Sequence, residues 1–149
     1  MEEKIKNLNQ LLCDLEIFAV KLQNYHWNVT GKGFFLTHEK LEEYYEEVRK
    51  QLDEVAENII MHGAQPFGSM EDFVKHTQIT EAKNEKIEEK AIFENIINDL
   101  GTLLNKVTNI KEEAEALNIK EQEEFSKLSN GEELSSNGVI GKVFGYFFD

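Results

Sequence analysis

A single proline, Pro66, in 149 residues leaves almost nothing to interrupt a helix, and only nine glycines accompany it. So little punctuation favours long helices over many short strands. The apolar positions agree. Ile5, Leu8, Leu12, Leu15, Ala19 and Leu22 step by three and four, which places them on one buried helical face. Continuing the stripe by four reaches His26, whose imidazole is therefore expected to point into the same interior. The stretch Val29-Thr30-Gly31-Lys32-Gly33 ends this helix, its glycines supplying positive φ and a turn. A second helix is expected from a Thr37 N-cap to about His62, with Leu41, Tyr44, Val48, Leu52, Val55 and Ile59 inward and Gly63 as C-cap.

Ser69 is placed to cap a short helix over Met70 to Lys75, inside a long crossover. A third long helix is expected over Glu81 to Leu117, with Phe93, Ile97, Leu100, Leu104 and Val107 inward. Gly101 lies within it, at a cost of about 1 kcal/mol relative to Ala. A last helix would use Leu134, Ile140, Val143, Phe144 and Phe147. Four long helices with one long crossover predict an all-α, ferritin-like four-helix bundle carrying a short helix in the crossover. The length suits one domain spanning residues 1–149.

Composition narrows the function classes. Apolar residues make up 40% of the chain, enough for a core, and the net charge is −13. One arginine, Arg49, stands against fifteen lysines, so the footprint of a nucleic-acid binder is missing. No run of eighteen apolar residues offers a membrane span, and the N-terminus lacks the segments of a signal peptide, so a cytoplasmic location is expected. Cys13 stands alone, which excludes an internal disulfide and a multi-Cys zinc site, and it reads as a small buried apolar residue.

The residues able to carry chemistry lie on the second helix. Taking His38 as zero, Glu42 falls at about 40°, Asp53 at about 60° and Glu57 at about 100°, all on one flank beside the apolar stripe. Yet His38 and Asp53 are about 22 Å apart along the axis and cannot hold one ion within a single chain. Two readings are open. In one these are ordinary solvated charges on an acidic helix, as Glu39, Glu43, Glu46, Glu47 and Glu54 are expected to be. In the other the helix pairs antiparallel with its own copy across a two-fold axis, so that the His38/Glu42 end of one chain meets the Asp53/Glu57 end of the other. Such an isologous contact makes two identical clusters of imidazole and carboxylate. That donor set with open positions suits iron, whereas zinc prefers a closed nitrogen and sulfur shell. His26 would complete the set. A di-iron centre inside one bundle needs Glu-x-x-His pairs. Three positions before His26, His38, His62 and His76 stand Gln23, Phe35, Ile59 and Phe73, so no such pair exists. His62 and His76 are expected to be structural or solvent-exposed.

Tyr25-His26-Trp27-Asn28-Val29-Thr30-Gly31, then Phe34-Phe35-Leu36-Thr37-His38-Glu39, then Asp53-Glu54-Val55-Ala56-Glu57 resemble the Dps family of mini-ferritins. The intervals of twelve, four, eleven and four residues between His26, His38, Glu42, Asp53 and Glu57 match the ferroxidase ligands of that family. The resemblance implies a hollow homo-dodecamer with ferroxidase sites at two-fold interfaces. It implies oxidation of ferrous iron, typically by hydrogen peroxide, and storage of ferric mineral inside the shell. By the same analogy His26, His38 and Glu42 come from one subunit, and Asp53 and Glu57 from its partner. Trp27 is similar to the family's aromatic beside the iron, and reads equally as a core aromatic. Two departures stand out: position 42 more often holds Asp in the family, and its usual Trp-Met pair near the end is absent. The cluster Glu121, Glu123, Glu124, Glu132 and Glu133 either lines iron-entry pores or forms a solvated acidic face. Some Dps proteins condense DNA through a basic N-terminal tail. Here Glu2 and Glu3 balance Lys4 and Lys6, so DNA binding is not expected. The rival to a ferroxidase is a non-catalytic, metal-binding oligomeric shell or surface antigen.

Overall fold

The computed structural model describes residues 2–115. The expected last helix, its glycines and the acidic cluster after Lys120 lie outside the described residues. Within them the order is α1 (Glu2–Asn28), β1 (Val29–Thr30), α2 (Phe34–Met61), α3 (Met70–His76), β2 (Ile87–Glu88) and α4 (Glu89–Glu115). No described helix is long and apolar enough to cross a membrane.

The core forms where α1 lies against α2, α3 and α4. Leu8, Leu12, Leu15, Ala19 and Leu22 are buried as their spacing predicts, and Leu11, Ile17 and Phe18 join them. With neighbours on several sides, α1 is apolar over much of its circumference. Each fully buried leucine or isoleucine contributes about 1.5–3 kcal/mol relative to exposure. The inward face of α2 is Leu41, Tyr44, Val48, Gln51, Val55 and Ile59.

A polar edge of α1 holds the crossover. Asn9 Nδ2 donates to the Gln65 carbonyl while its Oδ1 accepts from the Phe67 amide. Gln10 donates to the His76 carbonyl. Asp14 Oδ1 accepts from Thr77 Oγ1 at 2.8 Å and from the Gln78 amide at 2.6 Å. Lys21 Nζ donates to the Thr80 carbonyl at 2.7 Å and pairs with buried Asp99 at 2.8 Å. Asn24 donates to the Lys83 carbonyl. These bonds satisfy the backbone of an otherwise irregular segment.

Several expectations are corrected. Helix α2 begins at Phe34, ahead of the expected Thr37 cap, because the Gly33 carbonyl already accepts the first helical bond from the Thr37 amide at 2.9 Å. Helix α4 begins at Glu89 instead of Glu81, since the Ala82 and Lys83 carbonyls accept from Asn24 of α1 and Ile87–Glu88 pair in parallel with Val29–Thr30. Its buried face is Ile92, Ile96, Leu100, Leu103, Val107 and Ile110, while Ile97 and Leu104 are exposed and Phe93 is half-buried. The adjacent pairs Ile92-Phe93, Ile96-Ile97 and Leu103-Leu104 offer two stripes one residue apart, which periodicity does not separate. Of the two glycines ending α1, only Gly31 adopts positive φ, at 119°. Ser69 caps α3 as expected, accepting from the Asp72 amide.

Candidate metal centre

Positive φ at Gly31 turns the chain between α1 and α2 and brings two histidines twelve residues apart face to face. Their rings stack with centroids 3.7 Å apart and planes 12° from parallel. His26 Nδ1 lies 2.5 Å from the His38 carbonyl, and His38 Nδ1 lies 2.6 Å from the His26 carbonyl. A carbonyl only accepts, so each Nδ1 carries the proton and donates. In the neutral imidazole each Nε2 is then left as a lone-pair donor, which is the tautomer a metal requires.

The surrounding rings hold this pair. Phe34 stacks on His38 at 5.1 Å, and Tyr45 meets His26 edge-on at 5.5 Å. His26 is only 5% exposed, as the α1 stripe predicts. One turn along α2 from His38, Glu42 Oε1 stands 3.9 Å from His26 Nε2 on a half-exposed side chain. Thus His26 meets both His38 and Glu42.

Asp53 and Glu57 do not join them. Both are exposed, near the other end of the continuous helix α2. A hydrogen bond with Asp53, followed by the charge of that carboxylate and by desolvation, raises the Glu57 carboxyl above its ordinary value. Two carboxylates are therefore crowded together on an open surface, an arrangement relieved by a cation. Among the described residues, no group of three or more His, Cys, Asp or Glu gathers into a metal site within one chain.

The remaining candidates are resolved by their contacts. His62 and His76 donate through Nδ1 to the carbonyls of Asn58 and Asp72 one turn back, and His76 stacks on Phe67. Both are half-buried. Trp27 is 63% exposed within the chain and is not a core aromatic. Cys13 is buried, and its thiol is pushed up to about 12 by burial, then by the charges of Asp14, Asp72 and Glu16. Sequence reasoning missed Phe34, Tyr45 and Glu89. The first two packed against the histidines in ways that spacing does not reveal. The third sits 52 residues beyond the Thr37 hydroxyl it bonds.

Comparison with known proteins bears on the family and the fold. A family model described as ferritin-like domain matches residues 5–125. The chain is 32% identical over 108 residues to the DNA protection during starvation protein of Helicobacter pylori (strain J99), covering 72% of this chain and 75% of that one. It is 37% identical over 75 residues to the protein of the same name from Listeria innocua, covering 50% of this chain and 48% of that one. The matched stretch thus spans about half the length of that relative. The crystal structure of a Dps protein from Vibrio cholerae O1 has a TM-score of 0.83 at 26% identity, covering 98% of this chain and 89% of that one. That protein is described as a member of a broad superfamily of ferritin-like diiron-carboxylate proteins.

Proposed function

This chain belongs to the ferritin-like domain family, and within it to the Dps proteins; from that premise we propose that it is a mini-ferritin, oxidising ferrous iron at sites shared by two subunits and storing the ferric product inside a twelve-subunit shell. The observation that carries this reading is the reciprocal pair of bonds between the His26 and His38 rings and carbonyls. It turns both Nε2 atoms away from the backbone that fixes the rings, with His26 Nε2 3.9 Å from the Glu42 carboxylate. In the head-to-tail arrangement, the partner subunit's Asp53 and the partner subunit's Glu57 supply the remaining oxygens. Nitrogen alone would hold Fe(II) well, whereas hard carboxylates favour Fe(III) and so lower its reduction potential. The protein residues thereby bias the site toward the oxidised product.

Hydrogen peroxide is the proposed oxidant. Two Fe(II) give one electron each to one peroxide, which takes up two protons and leaves as two waters, so no hydroxyl radical is released. The apolar residues exposed at both ends of α2, Phe35 and Leu36 at one and Ile60 and Met61 at the other, suit the same antiparallel pairing. A net charge of −13 favours protection of DNA by removing iron and peroxide over direct contact with phosphates. A cytoplasmic location is part of the proposal.

The test is peroxide-driven Fe(II) oxidation by wild type and His38→Ala. Loss of one imidazole is expected to lower the rate at least about tenfold, the scale on which metal-site changes act. Equal rates would leave only a non-catalytic shell.

A further inference from the structure

Helix α2 carries most of the proposed iron donors, yet it begins without a cap of its own. Gly33 is the N-cap, no side chain of its own caps the helix, and the first turn holds no acidic residue. In a capping box, a Glu or Gln at the third helical position reaches back to the N-cap amide. Here that position is Leu36. The acceptor comes from another helix instead. Glu89, the first residue of α4, accepts from the Gly33 amide through Oε1 at 2.9 Å and from Thr37 Oγ1 through Oε2 at 3.0 Å. A carboxylate at this place also complements the positive end of the α2 dipole.

Three further features are built around this contact. The parallel pairing of Val29 with Ile87 and Thr30 with Glu88 delivers Glu89 to the α2 N-terminus, and Thr30 Oγ1 donates to the Ile87 carbonyl. Gly33 has φ −89°, which any residue adopts, but a Cβ there would lie 2.7 Å from Glu89 Oε2. Glycine at 33 therefore makes room for the carboxylate. Thr37 is buried and immediately precedes His38, whose carbonyl receives the His26 proton.

We infer that Glu89 is a positioning residue for the two histidines, completing the cap of α2 from α4 and so fixing the turn on which His38 and the carbonyl beneath His26 depend. This rests on the reading of His26 and His38 as iron donors. The crossover thus ends in a strut that sets the metal site, although Glu89 touches neither histidine ring nor iron.

The test uses the full-length assembled protein and Co(II) as a redox-inert probe, read by its visible spectrum. Glu89→Ala is expected to weaken Co(II) binding about tenfold and to alter the spectrum. Glu89→Gln, which keeps an acceptor for the Gly33 amide and a donor for the Thr37 hydroxyl, restores both. An assembled Glu89→Ala protein with wild-type affinity and spectrum overturns the inference, as does a Glu89→Gln protein as impaired as Glu89→Ala. Should Glu89→Ala fail to assemble, Thr37→Val replaces it; weaker binding supports the strut and unchanged binding overturns it. Wild-type Co(II) binding by His38→Ala would instead sink the donor assignment, and the positioning role with it. Amide exchange across residues 33–38 tells the two failures apart, because it quickens in Glu89→Ala whether or not the histidines bind metal.

Discussion

Asp14 is fully buried in α1, where it holds the chain that leaves α3. Burial raises its carboxyl pKa above the ordinary 3.8, outweighing the opposing hydrogen bonds from Gln78 and Thr77 and the charge of Lys106. The folded chain therefore holds the Asp14 proton more tightly than the unfolded chain does. Its contribution to stability is greatest below 3.8 and declines as pH rises through the folded value. Asp14→Asn cannot titrate, so the stability of wild type relative to that variant should fall over this window and then level off. Unfolding midpoints of both proteins across a pH series measure this, and a flat or rising difference would contradict it. Position on a stripe located His26, but no spacing rule shows which ring nitrogen carries a proton. That depends on the carbonyl each ring meets after the turn at Gly31 has formed.

Helix ends are legible in the sequence where local chemistry sets them. Gly63 adopts φ 79° just beyond the His62 C-cap, donating to the Ile60 carbonyl while the Ala64 amide donates to the Ile59 carbonyl. These two bonds form a Schellman closure, and the glycine is needed because only it takes left-handed φ without strain. A Cβ there meets nothing within 4 Å, so the cost of a side chain is conformational alone. Gly63→Ala is expected to destabilise the protein by about 1 kcal/mol, read as a lower urea midpoint; an unchanged midpoint would count against this closure. Gly63 and Ser69 were readable because their chemistry is local. The start of α4 was not, because the residues before it bond to α1 and β1 and its first residue, Glu89, bonds to Gly33 and Thr37. Nor was its inward face, where neighbouring apolar pairs let tertiary packing decide. In the candidate site, the flank shared by His38, Glu42, Asp53 and Glu57 followed from helical geometry, whereas the Glu89 strut joins elements more than fifty residues apart.

At the scale of the whole molecule, the proposed function requires one chain to present two half-sites. The imidazole pair with Glu42 lies near the start of α2, and the crowded Asp53 and Glu57 lie about 22 Å away along its axis. On that reading the surface of each subunit is complementary to itself, as a two-fold contact requires. Co-assembly of two defective chains tests this most directly. His38→Ala and Asp53→Ala subunits are purified separately, mixed in equal amounts, dissociated and allowed to reassemble, and peroxide-driven Fe(II) oxidation is measured. If the donors are shared across the two-fold axis, random pairing leaves about one site in four with an intact set, and about a quarter of wild-type activity returns. If all five residues act within one chain, every subunit carries a defect, and the mixture stays as inactive as its separate components.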